Sequence, residues 1–176
     1  MKNHVSKLLV ATAATLLLAT GAVFAQPHRA KKAATEFTAI LAKVPPNVRK
    51  EFLESMYFIG GRLATAKIGD VKSALSPDDF NALKQIVGWG TLGEDHEGYK
   101  CNKPGECIAA SKFICDPSAC KGATEGVLLG DMLRGVPPAV RRQYVNSMGF
   151  SDGRFNGGDV KLLEGYVNKA DTDRLR

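Results

Sequence analysis

Nineteen residues of this chain occur twice. Residues 44–62, VPPNVRKEFLESMYFIGGR, and residues 136–154, VPPAVRRQYVNSMGFSDGR, align without a gap at an offset of 92 and share ten identities. An ungapped match of that length marks an internal duplication, so the two segments are expected to adopt the same local structure. In each, a Pro-Pro pair ends the helix before it, because neither proline donates to a helical ladder. Val48, Phe52, Leu53 and Met56 then recur at helical spacing, with Asn47 placed as the N-cap, and Val140, Tyr144, Val145 and Met148 answer in the second copy. Met56 with Phe58, and Met148 with Phe150, switch the period to two ahead of Gly60-Gly61 and Asp152-Gly153. Such dipeptides mark tight hairpin turns, which need positive φ.

The flanking sequence extends both copies. Ala33, Phe37, Ile40, Leu41 and Val44 lie on one helical face before the first Pro-Pro. After the first hairpin a helix opens at Asp70-Val71. Ser76-Pro77-Asp78-Asp79 then starts another, with a capping serine, proline at the first helical position and acid in the first turn. Phe80, Leu83, Ile86 and Val87 line its buried face and Gly88 stops it. In the second copy a helix opens at Asp159-Val160, with Val160, Leu163, Tyr166 and Val167 as its buried face, before a charged, frayed tail from Asp171 to Arg176. The expected fold is therefore α+β and mainly α. Two duplicated units of helix, Pro-Pro, helix, short hairpin and helix form one pseudo-two-fold domain. Repeat one spans 33–88, repeat two spans 123–170, and a cysteine-containing, disulfide-rich loop at 89–122 is inserted between them.

Residues 1–25 read as a signal peptide. Lys2 and Lys7 precede a run of apolar and small residues, and Val23-Phe24-Ala25 suits cleavage before Gln26. The apolar run is shorter than the ~20 residues that span a bilayer, so no membrane span is expected after cleavage, and the chain is expected to be periplasmic or secreted. The mature part, 26–176, is one domain's worth of chain. Removing the two leader lysines takes the formal charge from +6 to +4. The excess is spread over the chain, densest in the short runs Arg29 to Lys32, Arg49-Lys50 and Arg141-Arg142; it reads first as a solvated, soluble surface, and the sharper alternative is attraction to a protein or an acidic envelope component. Basic and aromatic residues do not interleave as a single-strand binder requires, so nucleic acid is not an expected partner.

All four cysteines, Cys101, Cys107, Cys115 and Cys120, lie in the insert, and an even count in an exported chain argues for two disulfides. Residues 106–114 read as a short helix. At a rise of ~1.5 Å per residue it would hold Cys107 and Cys115 about 12 Å apart, beyond the ~7 Å reach of a disulfide. Of the two remaining pairings the local one is favoured, Cys101 with Cys107 across Asn102-Lys103-Pro104-Gly105 and Cys115 with Cys120 across Asp116-Pro117-Ser118. The spacing lacks the C-x-x-C of a redox centre.

Residues 152–166, DGRFNGGDVKLLEGY, resemble the later half of a calcium loop and the following helix in dockerins and, more loosely, in EF-hand proteins. Asp152, Gly153, Asn156 and Asp159 match loop positions 5, 6, 9 and 12, and Arg154 would supply the carbonyl of position 7. Positions 1 and 3 would be Met148 and Phe150, which offer no oxygen. The resemblance implies a weak calcium-binding module, with Asp152, Arg154, Asn156 and Asp159 as its ligands.

Material for catalysis is sparse. His28 and His96 are the histidines left after signal cleavage, and with the cysteines paired no nucleophile, base and orienter set can be assembled from motifs. No phosphate loop or dinucleotide fingerprint occurs. Two features suit a binding surface. Trp89, the one tryptophan, stands between Gly88 and Gly90 at the mouth of the insert; a lone tryptophan is more often core than contact, and the flanking glycines make an exposed anchor the alternative. Arg62 and Arg154 follow the turn glycines, where a hairpin tip would display them or where they would form a salt bridge between the copies. The expected function is a non-enzymatic periplasmic or secreted binding protein, such as an inhibitor or immunity-type partner of an envelope protein. The calcium module is the alternative, and a small cell-envelope enzyme is the second.

Overall fold

A computed structural model of the chain describes residues 27–90, 96–102, 105–121 and 125–175. The leader assigned to residues 1–25 and the cleavage point before Gln26 lie outside them. Among the described residues no helix is long and apolar enough to cross a membrane.

Helix α1 (Pro27–Ala42) packs Phe37, Ile40 and Leu41 inward and stops before the first Pro-Pro. Pro45 caps and Pro46 starts α2 (Pro46–Glu54); Pro137 caps and Pro138 starts α7 (Pro138–Ser147). The two elbows share one shape, with φ/ψ of −51/141° at Pro45 and −54/142° at Pro137. The N-cap expected at Asn47 falls to Pro45 instead, and neither helix has a side-chain cap. Proline's fixed φ already sets the helical start, and its missing N–H is one the first turn leaves unpaired anyway.

A hairpin follows each helix: β1 (Tyr57–Ile59) with β2 (Arg62–Lys67), and β6 (Phe150–Ser151) with β7 (Arg154–Phe155). Both turns have positive φ at their two central residues, 54° and 75° at Gly60-Gly61 and 52° and 72° at Asp152-Gly153. After β2 come α3 (Gly69–Ala74) and α4 (Pro77–Val87), the latter capped by Ser76 and ended by Gly88 at φ 88°. The insert forms β3 (His96–Cys101), β4 (Cys107–Cys115) and the short α5 (Pro117–Cys120). Between insert and second elbow run β5 (Val127–Leu128) and α6 (Leu129–Met132), and the chain ends in a 3-10 turn (Val160–Leu163) and α8 (Lys169–Arg174).

The strands make one seven-stranded antiparallel sheet, and this overturns the expectation of a mainly helical fold. Strand β2 is its hub. One edge pairs with β1, the other with β4 through Thr65–Lys67 and with β7 at Arg62 opposite Arg154. The duplicated helical units also fail. Likeness stops at the elbow, helix and hairpin: the 16-residue α1 faces a four-residue α6, and α3 with α4 face a single 3-10 turn. Tyr166, expected on a buried face, is 51% exposed because the second copy's helix ends at Leu163. The tail is held by a fully buried Leu175 and by Arg174, 2.7 Å from Glu125.

The insert carries the other correction. The helix expected over 106–114 is absent, the strand Cys107–Cys115 standing in its place, and the disulfides are Cys101–Cys120 and Cys107–Cys115, with Cα separations of 5.7 and 5.9 Å. The register of β3 on β4 jumps between Glu97/Ile114 and Tyr99/Ala109, with Gly98 at φ 88° and Lys112 at φ 68°. The hairpin therefore doubles back and lays its tip, where Cys101 faces Cys107, against Cys115 and Cys120. A bulge of that size removes the axial rise on which exclusion of Cys107–Cys115 rested.

One hydrophobic cluster joins the copies. The repeat mates Phe58 and Phe150 stack at 6.3 Å, and Phe155 and Phe37 close around them at 4.6 Å from Phe58 and 5.1 Å from Phe150. Each such aromatic pair adds about 0.5–1.5 kcal/mol beyond its buried area. Trp89 lies in this core, fully buried, with Nε1 donating to the Leu63 carbonyl at 3.0 Å, so of its two readings the core one holds and the exposed anchor does not. Those glycines serve the backbone instead. A Cβ on Gly88 would sit 2.6 Å from the Cα of Gly153, and one on Gly153 would sit 2.6 Å from the Cα of Gly88, so the end of α4 and the second hairpin turn touch backbone to backbone.

Lys43, just past α1, donates to Asp79 at 2.6 Å. Hydrogen bonds from Lys43 and then Ser76 hold the Asp79 carboxyl below the ordinary carboxylate range. A depressed carboxylate stabilises the fold above its unfolded pKa, and that contribution is lost as pH falls through the folded value. The gap in melting temperature between wild type and Asp79→Asn should therefore narrow as pH is lowered below about 4. Gly153→Ala combines the strained φ with the Gly88 clash and should cost about 2–3 kcal/mol in urea unfolding. Gly60→Ala, strained but in open space, should cost about 1 kcal/mol.

Candidate functional site

Helices α2 and α7 face a common groove of about 430 Å³. Each presents one stripe at helical spacing, and the two stripes are the same positions of the repeat. Pro46, Arg49, Lys50, Leu53 and Glu54 line it from α2; their mates Pro138, Arg141, Arg142, Val145 and Asn146 line it from α7. Leu41 of α1 and Leu129 and Leu133, in and just after α6, complete the apolar lining. These leucines and Leu53 are buried, whereas Lys50 and Arg142 are exposed, so the apolar lining is recessed behind a charged rim. Helix α6 comes this close because residue 130 is glycine: a Cβ there would lie 2.6 Å from the Glu54 carbonyl oxygen.

The rim holds four cations and, among the described lining residues, one carboxylate. Glu54 is divided between Lys50 on its own helix, at 4.0 Å, and Arg141 across the groove, at 3.8 Å. Both distances exceed hydrogen-bond length. Arg141 Nη2 donates to the Val136 carbonyl at 3.2 Å, while its buried Nε has no acceptor among the described residues. Four cations gathered about one carboxylate repel one another, more strongly where apolar walls exclude water. A groove of this size, apolar with a few convergent charges, has the character of a ligand site.

The residues singled out in the hairpins do other work. Arg62 Nη2 donates to Asp116 Oδ2 at 2.8 Å, and Asp116 is 8% exposed. The other oxygen of Asp116 accepts from the amides of Ser118 and Ala119, capping α5. Arg62 therefore ties the sheet hub to the disulfide-pinned insert. Arg154 faces it across the register and is exposed. Opposed like charges in a sheet repel, and Asp116 offsets this for Arg62.

Around the calcium-like segment, Asn156 Oδ1 accepts from the Gly149 amide at 3.1 Å and the Gly158 amide at 3.4 Å, and Asp159 Oδ1 accepts from Lys161 at 3.2 Å. Asp152 occupies the hairpin turn, while Met148 and Phe150 sit in the core. The segment thus acts as a turn and a cap, followed by a 3-10 turn in place of the long helix of an EF-hand. The groove residues were visible in the sequence only as two short basic runs. Their identical place in the repeat was the available signal, but nothing local said that α2 and α7 turn the same faces toward one space.

A scan against family models found no match, and searches of curated proteins and of solved structures found none either. Asp116→Ala strands Arg62 and removes the α5 cap. It should cost about 2–3 kcal/mol in urea unfolding, whereas the exposed Arg154→Ala should stay within about 0.5 kcal/mol.

Proposed function

We propose that this protein is a non-catalytic binding protein of the periplasm or the secreted space, and that the groove between α2 and α7 receives a ligand that is both anionic and partly apolar. One observation carries the reading: two basic runs 92 residues apart in sequence line one recessed apolar groove, and Glu54, the one carboxylate among its described lining residues, is shared between both sides. An anion entering there relieves like-charge repulsion while its apolar part covers leucine. The pairing of all four cysteines, with no free thiol, and the signal-like leader support an oxidising compartment outside the cytoplasm. Arg62 and Trp89, now engaged within the fold, are not part of this surface.

A ligand that binds only the folded chain must raise its melting temperature. The expected rise is about 5–10 °C at a concentration ~100-fold above Kd, for a chain of this size. The panel is laurate, vesicles of phosphatidylglycerol with phosphatidylcholine, and an acidic amphipathic peptide, each beside an uncharged counterpart. At least one anionic member should raise the melting temperature of wild type and leave Lys50→Glu/Arg142→Glu unmoved. If none does, the groove is not a binding site of this kind.

A further inference from the structure

We infer that the occupant of the groove is an acidic amphipathic α-helix presented by a partner protein; this rests on the reading of the groove given above. The placement of charge is the first reason. Arg49 and Lys50 stand on α2, Arg141 and Arg142 on α7, so cations flank the groove from both sides. A single-headed acyl anion would engage one side and leave the other unsatisfied. A helix with an apolar stripe bordered on both flanks by Asp or Glu meets both.

Dimensions are the second. The groove walls are helices of nine and ten residues, about 14–15 Å long at ~1.5 Å per residue. That length accepts the i, i+3, i+4 and i+7 anchors of a helix laid in a groove, whose stripe spans about 10 Å. Recession of the lining is the third. A bilayer surface would touch exposed Lys50 and Arg142 but would not reach Leu53, 8% exposed, or Leu133, 4% exposed, whereas leucines projecting from a helix would. A second copy of this chain is disfavoured, because a self-complementary contact through this face would set cations against cations.

The test uses the full exported chain with its disulfides intact. The probe is a fluorescein-labelled 18-residue peptide with leucines at i, i+3, i+4 and i+7 and glutamates on both flanks, read by anisotropy. It should bind at least tenfold more tightly than a scramble of the same composition, with affinity falling as salt rises. Lys50→Glu/Arg142→Glu, both at exposed positions, should weaken binding at least tenfold. Lys100→Glu/Lys121→Glu, the same charge change on other exposed sites, should not. Equal binding of peptide and scramble, or insensitivity to Lys50→Glu/Arg142→Glu, overturns the inference. Should laurate or phosphatidylglycerol vesicles need those two cations while the peptide does not bind, the groove stands as a site and the helical occupant falls. If no anionic probe binds, both fall.

Discussion

Strand β2 must satisfy hydrogen-bonding groups on both of its edges, and nearly everything else in the molecule is arranged by how it does so. An unpaired buried backbone group costs as much as a lost hydrogen bond. Its own hairpin covers one edge through β1. The other is divided, with β4 taking Thr65–Lys67 and β7 taking Arg62. One strand thereby joins the first copy, the second copy and the insert. Side chains follow the ladder: Leu63, Ala64 and Ala66 are buried, and the Trp89 indole is hydrogen-bonded to the Leu63 carbonyl. Where β7 meets β2, two arginines face each other, and the buried Asp116 that pairs with one of them fastens the insert to the same hub.

The groove is a consequence of doubling a charged amphipathic helix. Each elbow is followed within one turn by two adjacent cations, so duplication makes two basic stripes. The tertiary arrangement then turns both toward α1 and α6. Had α2 and α7 diverged, each pair would have been an ordinary solvated surface. Brought to a common recess, one cation of each pair, Lys50 and Arg141, shares Glu54 at separations too long for hydrogen bonds. Concentrated like charge opposes the compact state unless counter-ions or a ligand offset it. The proposed function rests on the groove for that reason, rather than on the hairpin tips or the tryptophan.

Legibility in the sequence tracked how local the cause was. Both tight turns could be read because Gly60-Gly61 and Asp152-Gly153 supply positive φ wherever they stand, and α4 could be read because Ser76, Pro77 and Gly88 are self-contained start and stop signals. The disulfides could not. Four cysteines were enough to imply two bonds, but their pairing depends on a bulge between Gly98 and Lys112 that folds the hairpin over itself. For Trp89 the core reading holds and the exposed-anchor alternative does not: flanking glycines read as freedom to be exposed, whereas Gly88 is glycine because the backbone of Gly153 leaves no room for a Cβ.

By itself, then, the sequence determined the repeated elbow, helix and turn, the even cysteine count and the two basic runs, since each depends on residues within a few positions of one another. Tertiary structure alone decided that a seven-stranded sheet unites them, that Cys101 pairs with Cys120, and that Arg49-Lys50 and Arg141-Arg142 share one groove. Periodicity reports which face of an element is apolar. It carries no information about which other element that face will meet, because the meeting is settled by long-range strand pairing and by backbone contacts between residues far apart in the chain.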